Sequence, residues 1–425
     1  MWPILGAWFA ALLVGVPLFA SMGLAAFAFV WFSGIPGGIV PQKIAQAANS
    51  FPLLAAPLFI LMGNIMNSAG ITERIFTFAT ACVGWLRGGL CHANILASVI
   101  FAGMSGSAVA DAGGVGTLEI KAMKDEGYDP ETAAAITAAS ATIGPIIPPS
   151  LPMVIYGISA DVSIGRLFLA GVLPGLLMAG LLMLMVTEVA RRRNMPRTPF
   201  PGLRDLGRAY ARAHWALMTP VILFGGMMTG WFTPTEAAAV ATVYALILGL
   251  FVYRDFDLKT LPKIIVDTVE TTGVVLALVM TAAALAWCLS LSRIPQTLGP
   301  MFVEIAGHPL VFLLAVNVLL LVVGCFMEAL AAMLILIPIL IPAAAQFGID
   351  PVQFGLIFVL NLMIGTITPP VGVVLFITSK IAGISFEAMS RAILPWLVPL
   401  LAVLMAITLW PPLTLWLPNL VMGGR

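Results

Sequence analysis

One phrase occurs twice in this chain, 221 residues apart, and each copy interrupts an apolar segment near its middle. Gly127-Tyr-Asp129-Pro130 returns as Gly348-Ile-Asp350-Pro351, and Leu173-Pro174 returns as Leu394-Pro395. Between them, Ile143-Gly144-Pro145-Ile-Ile-Pro148-Pro149 returns as Ile364-Gly365-Thr366-Ile-Thr368-Pro369-Pro370. The interval also relates Gly103 to Gly324 and Ala108 to Ala329, so no gap is needed across the aligned stretch. Hydrophobic segments interrupted by Gly and Pro at corresponding positions of two halves point to the binding site of a secondary transporter.

Composition sets the medium. The 425 residues are 61% hydrophobic and only 9% charged, against about 25% charged in a soluble domain. Apolar stretches near 20 residues, enough to cross about 30 Å of hydrocarbon, recur from end to end. Roughly ten crossings plus shorter pieces are expected, in an all-α polytopic membrane protein. The segment from Met1 lacks a basic start and a small-residue cleavage site, so it reads as a retained span. Cys82, Cys91, Cys288 and Cys325 have no ligand spacing and read as small buried hydrophobes. His92, His214 and His308 form no helical pair, and there is no G-x-x-x-x-G-K-[ST]. No ATP, haem or transition metal is expected, so active transport would draw on an ion gradient or a partner.

Charge orients the copies. Residues 191–214 hold Arg191, Arg192, Arg193, Arg197, Arg204, Arg208 and Arg212 against one acid, Asp205. They read as a basic cytoplasmic loop with an interfacial helix facing anionic lipid. Lys121 and Lys124 precede Gly127, whereas Pro342-Ala-Ala-Ala-Gln346 precedes Gly348 without charge. Basic residues inside and neutral ones outside predict inverted-topology repeats. The resulting division is N-terminal spans at 1–50 and repeat 1 at 51–190, then the basic segment at 191–214. Linking spans and a cytoplasmic turn fill 215–263, and repeat 2 fills 264–425.

Within repeat 1, the glycines from Gly103 to Gly114 are too dense for a continuous helix, at about 1 kcal/mol each relative to alanine. A re-entrant helical hairpin over about 90–127, turning at Gly103–Ser107, is predicted, with a broken helix over about 130–160. Repeat 2 gives a hairpin over about 308–347, turning near Gly324–Glu328, and a broken helix over about 351–381. The paired prolines free carbonyl oxygens at membrane depth. Carbonyls with nearby hydroxyls form the hard, partly negative cage that Na⁺ prefers. The expected sodium site 1 is Ser105, Ser107, Gly144 and Pro145, and site 2 is Gly324, Gly365, Thr366 and Thr368. Half-helix N-termini near Pro149 and Pro370 turn partial positive charge toward an anionic substrate.

Intramembrane ionisable residues are functional candidates by default. Asp111 and Glu328 follow the two hairpin turns. Arg293 is a candidate for pairing with a substrate carboxylate, its other reading being a snorkelling interfacial anchor. Glu236, after Thr233-Pro-Thr235, reads as a first-turn helix residue opposing the macrodipole.

Gly103-Met-Ser-Gly-Ser-Ala-Val-Ala-Asp111, Gly127-Tyr-Asp129, Ile143-Gly-Pro-Ile-Ile-Pro-Pro-Ser150, Thr233-Pro-Thr-Glu-Ala-Ala238 and Gly365-Thr-Ile-Thr-Pro-Pro370 carry a family resemblance. In these five ordered motifs, across essentially its whole length, the chain resembles the DctM-type large membrane subunit of tripartite ATP-independent periplasmic (TRAP) transporters. Thr117-Leu-Glu119-Ile-Lys121 departs from it, with charges where apolar residues are expected. The resemblance implies a scaffold, including the spans at 1–50, and an elevator-type transport domain in the bacterial inner membrane. It implies Na⁺ as coupling ion and an organic anion, such as a C4-dicarboxylate or sialic acid, as substrate. Two partner chains are implied, a small four-span membrane subunit (DctQ type) and a periplasmic substrate-binding protein (DctP type). Two equivalent cages predict at least two Na⁺ per cycle.

Two other readings compete with it. One is a self-sufficient sodium- or proton-coupled carboxylate symporter of the same architecture, which would work without a binding protein. The other, an intramembrane enzyme, needs H-E-x-x-H or a Gly-x-Gly-Asp aspartate, and the sequence has neither.

Overall fold

The computed structural model describes residues 2–195 and 197–423, with the side chains at 2, 13, 103–105, 295, 296, 298, 299 and 303 outside the description. No strand occurs among the described residues. Three helices open the chain, α1 (Trp2–Leu13), α2 (Leu18–Phe32) and α3 (Ile39–Ala48). A 3₁₀ turn at Phe51–Leu54 leads into α4 (Ala55–Ser68) and α5 (Ile71–Val83). Next come α6 (Gly89–Ser105), α7 (Ala108–Gly113) and α8 (Val115–Asp125), then α9 (Pro130–Ala141), α10 (Leu151–Ala160) and the long α11 (Ile164–Arg192). Two more, α12 (Leu203–Met228) and α13 (Pro234–Ile247), fill the middle of the chain. The remainder is α14 (Leu261–Leu291), α15 (Ile294–Ala306), α16 (Pro309–Phe326), α17 (Ala329–Gln346), α18 (Pro351–Gly365), α19 (Val373–Ala382), α20 (Phe386–Leu409) and α21 (Pro412–Met422). Seven of the described helical stretches are long and apolar enough to cross a membrane.

Local chemistry explains where these helices start. Asp129 and Asp350 are N-caps followed by proline at the first helical position. Asp129 Oδ2 accepts from the Thr132 N–H at 3.2 Å, and Asp350 Oδ1 from the Val352 N–H at 2.7 Å. The carboxylate satisfies an orphan donor, and proline occupies a place whose N–H would be unpaired anyway. The recurring Asp-Pro of the sequence is therefore a helix-start signal, and α9 and α18 begin 221 residues apart. After the second interruption the helix restarts one residue later than that interval, α10 at Leu151 and α19 at Val373. The extra residue is Gly372, whose φ of +55° is accessible to glycine at little cost. The arginines Arg204, Arg208 and Arg212 stand on α12, which continues without a break into its apolar C-terminal half.

Burial shows which helices sit at the centre. From Thr132 to Ala141 every residue of α9 is buried, and so is every residue of α18 from Val352 to Gly365. A helix covered on all sides belongs to the interior rather than to a lipid face. The interrupted helices also pack on elements far along the chain. α9 lies against α19 and α20, and α10 against α17 and α18. Tyr156 of α10 shows how close this packing is. Its hydroxyl donates to the Pro351 carbonyl at 2.9 Å, and a Cβ at Gly355 of α18 would lie 2.5 Å from its ring. Outer helices instead expose Leu24, Trp31, Val266, Val274, Val318 and Val322, as lipid contact allows.

Candidate functional site

Both hairpin tips end on the two helix interruptions. At the first tip α6 closes at Ser105, Gly106 takes φ +60°, and Ser107 caps α7 by accepting from the Ala110 N–H at 3.4 Å. A Cβ on Gly106 would lie 2.8 Å from the Pro149 carbonyl oxygen and 3.0 Å from the Leu151 nitrogen. Backbone thus meets backbone, which only glycine permits at this position. One helical turn further on, the buried Asp111 carboxylate occupies the space that a Cβ on Gly144 would need. The tip and the interruption therefore bring together Ser107, Asp111, Gly144 and Pro149 of the expected set. The Ser105 side chain lies outside the described residues.

The second tip repeats this contact with different atoms. Gly324 of α16 and Gly365 of α18 touch through their backbones, and a Cβ on Gly365 would lie 2.6 Å from the Gly324 Cα. The Gly372 N–H donates to the Cys325 carbonyl at 3.0 Å, tying the restart of α19 to the hairpin. Glu328 caps α17, accepting from the Ala331 N–H at 3.0 Å. Ser107 and Glu328 stand 221 residues apart and do the same job, so Glu328 has a structural reason to be where it is. Arg293 is exposed at the junction of α14 and α15, with φ +54°, and is not among the residues that the tip contacts join. Glu236 completes a capping box with Thr233, accepting from its N–H at 2.8 Å.

The interruptions leave backbone oxygens outside regular helical pairing. A proline at position i leaves the carbonyl at i−4 without its helical donor. Pro148 and Pro149 act in this way on Gly144 and Pro145, and Pro369 and Pro370 on Gly365 and Thr366. Among the described residues, three of these four carbonyls regain a donor. Ser150 Oγ donates to the Pro145 oxygen at 2.5 Å, the Thr368 N–H to Gly365 at 2.9 Å, and the Val374 N–H to Thr366 at 3.1 Å. Each carbonyl has two lone pairs, so one remains on each. Thr366 and Thr368 spend their hydroxyl hydrogens on Met363 and Ile364 carbonyls, both at 2.7 Å, which leaves their oxygens as acceptors. Such a set, with no formal charge at the second tip beyond the capping Glu328, suits a small hard cation.

Behind each tip lies a buried polar clasp that the sequence did not announce. In the first, Asn94 of α6 accepts from Ser140 Oγ at 2.5 Å and donates to Thr137 Oγ1 at 2.7 Å and Glu119 Oε2 at 2.8 Å. In the second, Asn361 donates to Asn317 Oδ1 at 2.8 Å, and Asn317 donates to Thr408 Oγ1 at 3.0 Å. Gln353 closes the group on the Ile407 carbonyl at 3.0 Å. Ser140 and Asn361 are 221 residues apart, as are Thr187, which approaches His92 Nε2 at 3.5 Å, and Thr408. Polar residues recurring at the repeat interval were the available signal.

Similarity to known proteins agrees with this architecture. The profile of the family described as "Tripartite ATP-independent periplasmic transporter, DctM component" matches residues 5–413. The chain is 46% identical over 417 residues to the sialic acid TRAP transporter large permease protein SiaM of Vibrio cholerae, covering 98% of both chains. It is 42% identical over 400 residues to the C4-dicarboxylate TRAP transporter large permease protein DctM of Pseudomonas aeruginosa, covering 94% of both. Among solved structures, the Alcanivorax borkumensis YdaH transporter, described as having an unusual topology, superposes with a TM-score of 0.65. It shares 16% identity over 88% of each chain, which speaks for the fold alone. The protein is therefore a transporter permease and not an enzyme, a multi-pass protein of the bacterial inner membrane, and it belongs to the DctM family of TRAP transporter large subunits.

Proposed function

We propose that this large permease subunit carries out sodium-coupled uptake of an organic anion, a carboxylate of the C4-dicarboxylate or sialic acid kind. The relatives named above are named for those two classes of substrate. The observation that carries the proposal is that each hairpin tip packs backbone against backbone on a proline-interrupted helix, Gly106 on Pro149–Leu151 and Gly324 on Gly365. Each interruption offers backbone carbonyls with threonine or serine hydroxyls close by in the chain, and carbonyl and hydroxyl oxygens are what Na⁺ takes in place of water. Ser105, Ser107, Gly144 and Pro145 form the first seat, and Gly324, Gly365, Thr366 and Thr368 the second. Asp111, Pro149, Pro370 and Arg293 are assigned to the substrate, Pro149 and Pro370 through the positive ends of α10 and α19.

In this proposal the repeats face opposite sides of the membrane and the two seats travel together as an elevator-type transport domain. Support comes from the contact of α14 with α17, where Ala282, Ala283 and Ala286 face Leu334 and Pro338 across a cleft of about 300 Å³. Small apolar residues on such a face offer little to catch during sliding. A periplasmic binding protein would deliver the anion, and a small four-span subunit would complete the membrane complex. Two Na⁺ would balance a dianion. A third would make the step electrogenic, worth about 2.3 kcal/mol per 100 mV.

Thermal stability of the purified chain in NaCl and in KCl tests the seats. Wild type should be stabilised selectively by sodium, Ser105→Ala and Thr368→Ala much less so. Wild-type sodium stabilisation in both variants would refute the assignment. Uptake by the complete three-part system in proteoliposomes should stop without sodium. Uptake that persists on a pH gradient alone would replace sodium by protons. Transport by this chain with no binding protein present would favour a self-sufficient symporter.

A further inference from the structure

Glu119 stands on the one strip of α8 that is buried, together with Val115, Gly116, Ile120 and Met123. It is only 1% exposed, and its neighbours Asn94, Thr137 and Ser140 are equally covered. Oε2 accepts from Asn94 Nδ2 at 2.8 Å, whereas Oε1 is buried with no hydrogen-bond partner. The closeness of α8 to α9 here explains the burial, since a Cβ on Gly116 would lie 2.7 Å from the Thr137 methyl.

Among the described residues, no positively charged group is paired with Glu119. On α7 the neighbouring ionisable group is Asp111, whose negative charge acts on Glu119 through space. α6 contributes His92 and Cys91, the latter with its thiol 3.7 Å from the Met123 sulfur. α9 offers hydroxyls, from Thr137 and Ser140, its Glu131 being exposed at the other end of the helix. Arg74 of α5 is engaged with Asp255 at 2.5 Å beside the exposed Glu73. Lys380 of α19 is exposed, and Lys124 of α8 itself reaches the Ala382 carbonyl at 2.8 Å. An ionised carboxylate here would be a buried charge with half its oxygens unbonded, which costs far more than one hydrogen bond returns.

We propose that Glu119 is a proton-binding site at the base of the first hairpin, its carboxylic acid form joining α8 to Asn94 of α6 and, through Asn94, to α9. Loss of the proton puts a bare charge into that contact and drives the hairpin away from α9. Because the same hairpin carries Ser107 and Asp111, proton occupancy at Glu119 also governs how firmly the first sodium seat is closed. That last consequence rests on the sodium reading above. The proton site itself does not.

The test uses the full-length purified chain. Infrared difference spectra of wild type against Glu119→Gln at neutral pH should show a carboxylic acid C=O band that the variant lacks, in KCl and in NaCl alike. Carboxylate bands in its place would overturn the proposal. An acid band in KCl that gives way to carboxylate bands in NaCl would overturn it in favour of a metal cation. Melting temperatures supply a second readout. A carboxyl that holds its proton more tightly folded than unfolded contributes fully below its unfolded value, and the contribution is lost as pH rises above it. The shift in the folding equilibrium approaches tenfold per pH unit. Glutamine imitates the neutral acid, so the variant should gain on wild type steadily from acid to neutral pH. Parallel pH curves would overturn the proposal. So would failure of Glu119→Gln to fold while Glu119→Asp folds, since the site would then require the charge.

Discussion

Replacing Gly365 by alanine tests whether the second hairpin tip is set by a glycine-to-glycine backbone contact. The added Cβ would lie 2.6 Å from the Gly324 Cα, 2.7 Å from its carbonyl carbon and 3.2 Å from the Cys325 nitrogen. Ordinary carbon contacts are about 3.5–4.0 Å, so α16 and α18 would have to part by about 1 Å. All three obstacles are backbone, and none can swing aside as a side chain would. Overpacking of this kind costs about 1–3 kcal/mol. The displacement also breaks the Gly372 N–H bond to the Cys325 carbonyl, 3.0 Å long, for about 0.5–1.5 kcal/mol more.

The total is about 1.5–4.5 kcal/mol, and even the low end, expressed at the second seat, weakens sodium binding about tenfold. Sodium titration of the melting temperature in KCl-balanced buffer reads this directly. Gly180→Ala serves as the control, because Gly180 lies in α11 with nothing within 4 Å of its would-be Cβ. Alanine there should be neutral or stabilising by up to about 1 kcal/mol. A Gly365→Ala protein with wild-type melting temperature and wild-type sodium midpoint would show that the tip does not depend on this contact.

Two further changes probe the packing behind the tips. Asn361→Leu leaves Asn317 Oδ1 buried without its 2.8 Å donor, and should lower stability by about 1–3 kcal/mol in denaturant unfolding. Adding Asn317→Leu should recover part of the loss, whereas strictly additive losses would mean that the two amides are not coupled. Tyr156→Phe removes the 2.9 Å bond to the Pro351 carbonyl while keeping the ring against α18, for an expected loss of about 0.5–1.5 kcal/mol. A loss above about 3 kcal/mol would point to a larger role for the hydroxyl.

The parts of the fold that the sequence disclosed are those written in local chemistry. Asp129-Pro130 and Asp350-Pro351 start helices by capping, and the paired prolines at 148–149 and 369–370 stop them, whatever surrounds them. Gly106 and Gly324 sit where a side chain would collide with backbone, which is why glycine stands at both positions. The polar clasps were not readable, because Asn94 meets Ser140, Thr137 and Glu119 only across sequence separations of 25 to 46 residues. Glu119 drew notice solely as a charge out of place, and its burial follows from α8 lying on α9, which no local rule dictates. Glu328 is the converse case. A charge beside a hairpin turn invites a functional reading, yet its geometry is that of an N-cap.

The way α9 leans on α19 and α20 has a consequence for biogenesis. Helix α9 is complete at Ala141, but α19 ends at Ala382, and the intervening chain takes about 10–50 s to translate at about 5–20 residues per second. Throughout that interval the nascent α9, without its permanent neighbours, must be shielded by lipid, by the insertion machinery or by temporary helix contacts. A chain cut short ahead of Pro351 should therefore be cleared by membrane proteases rather than persist as a half-sized carrier.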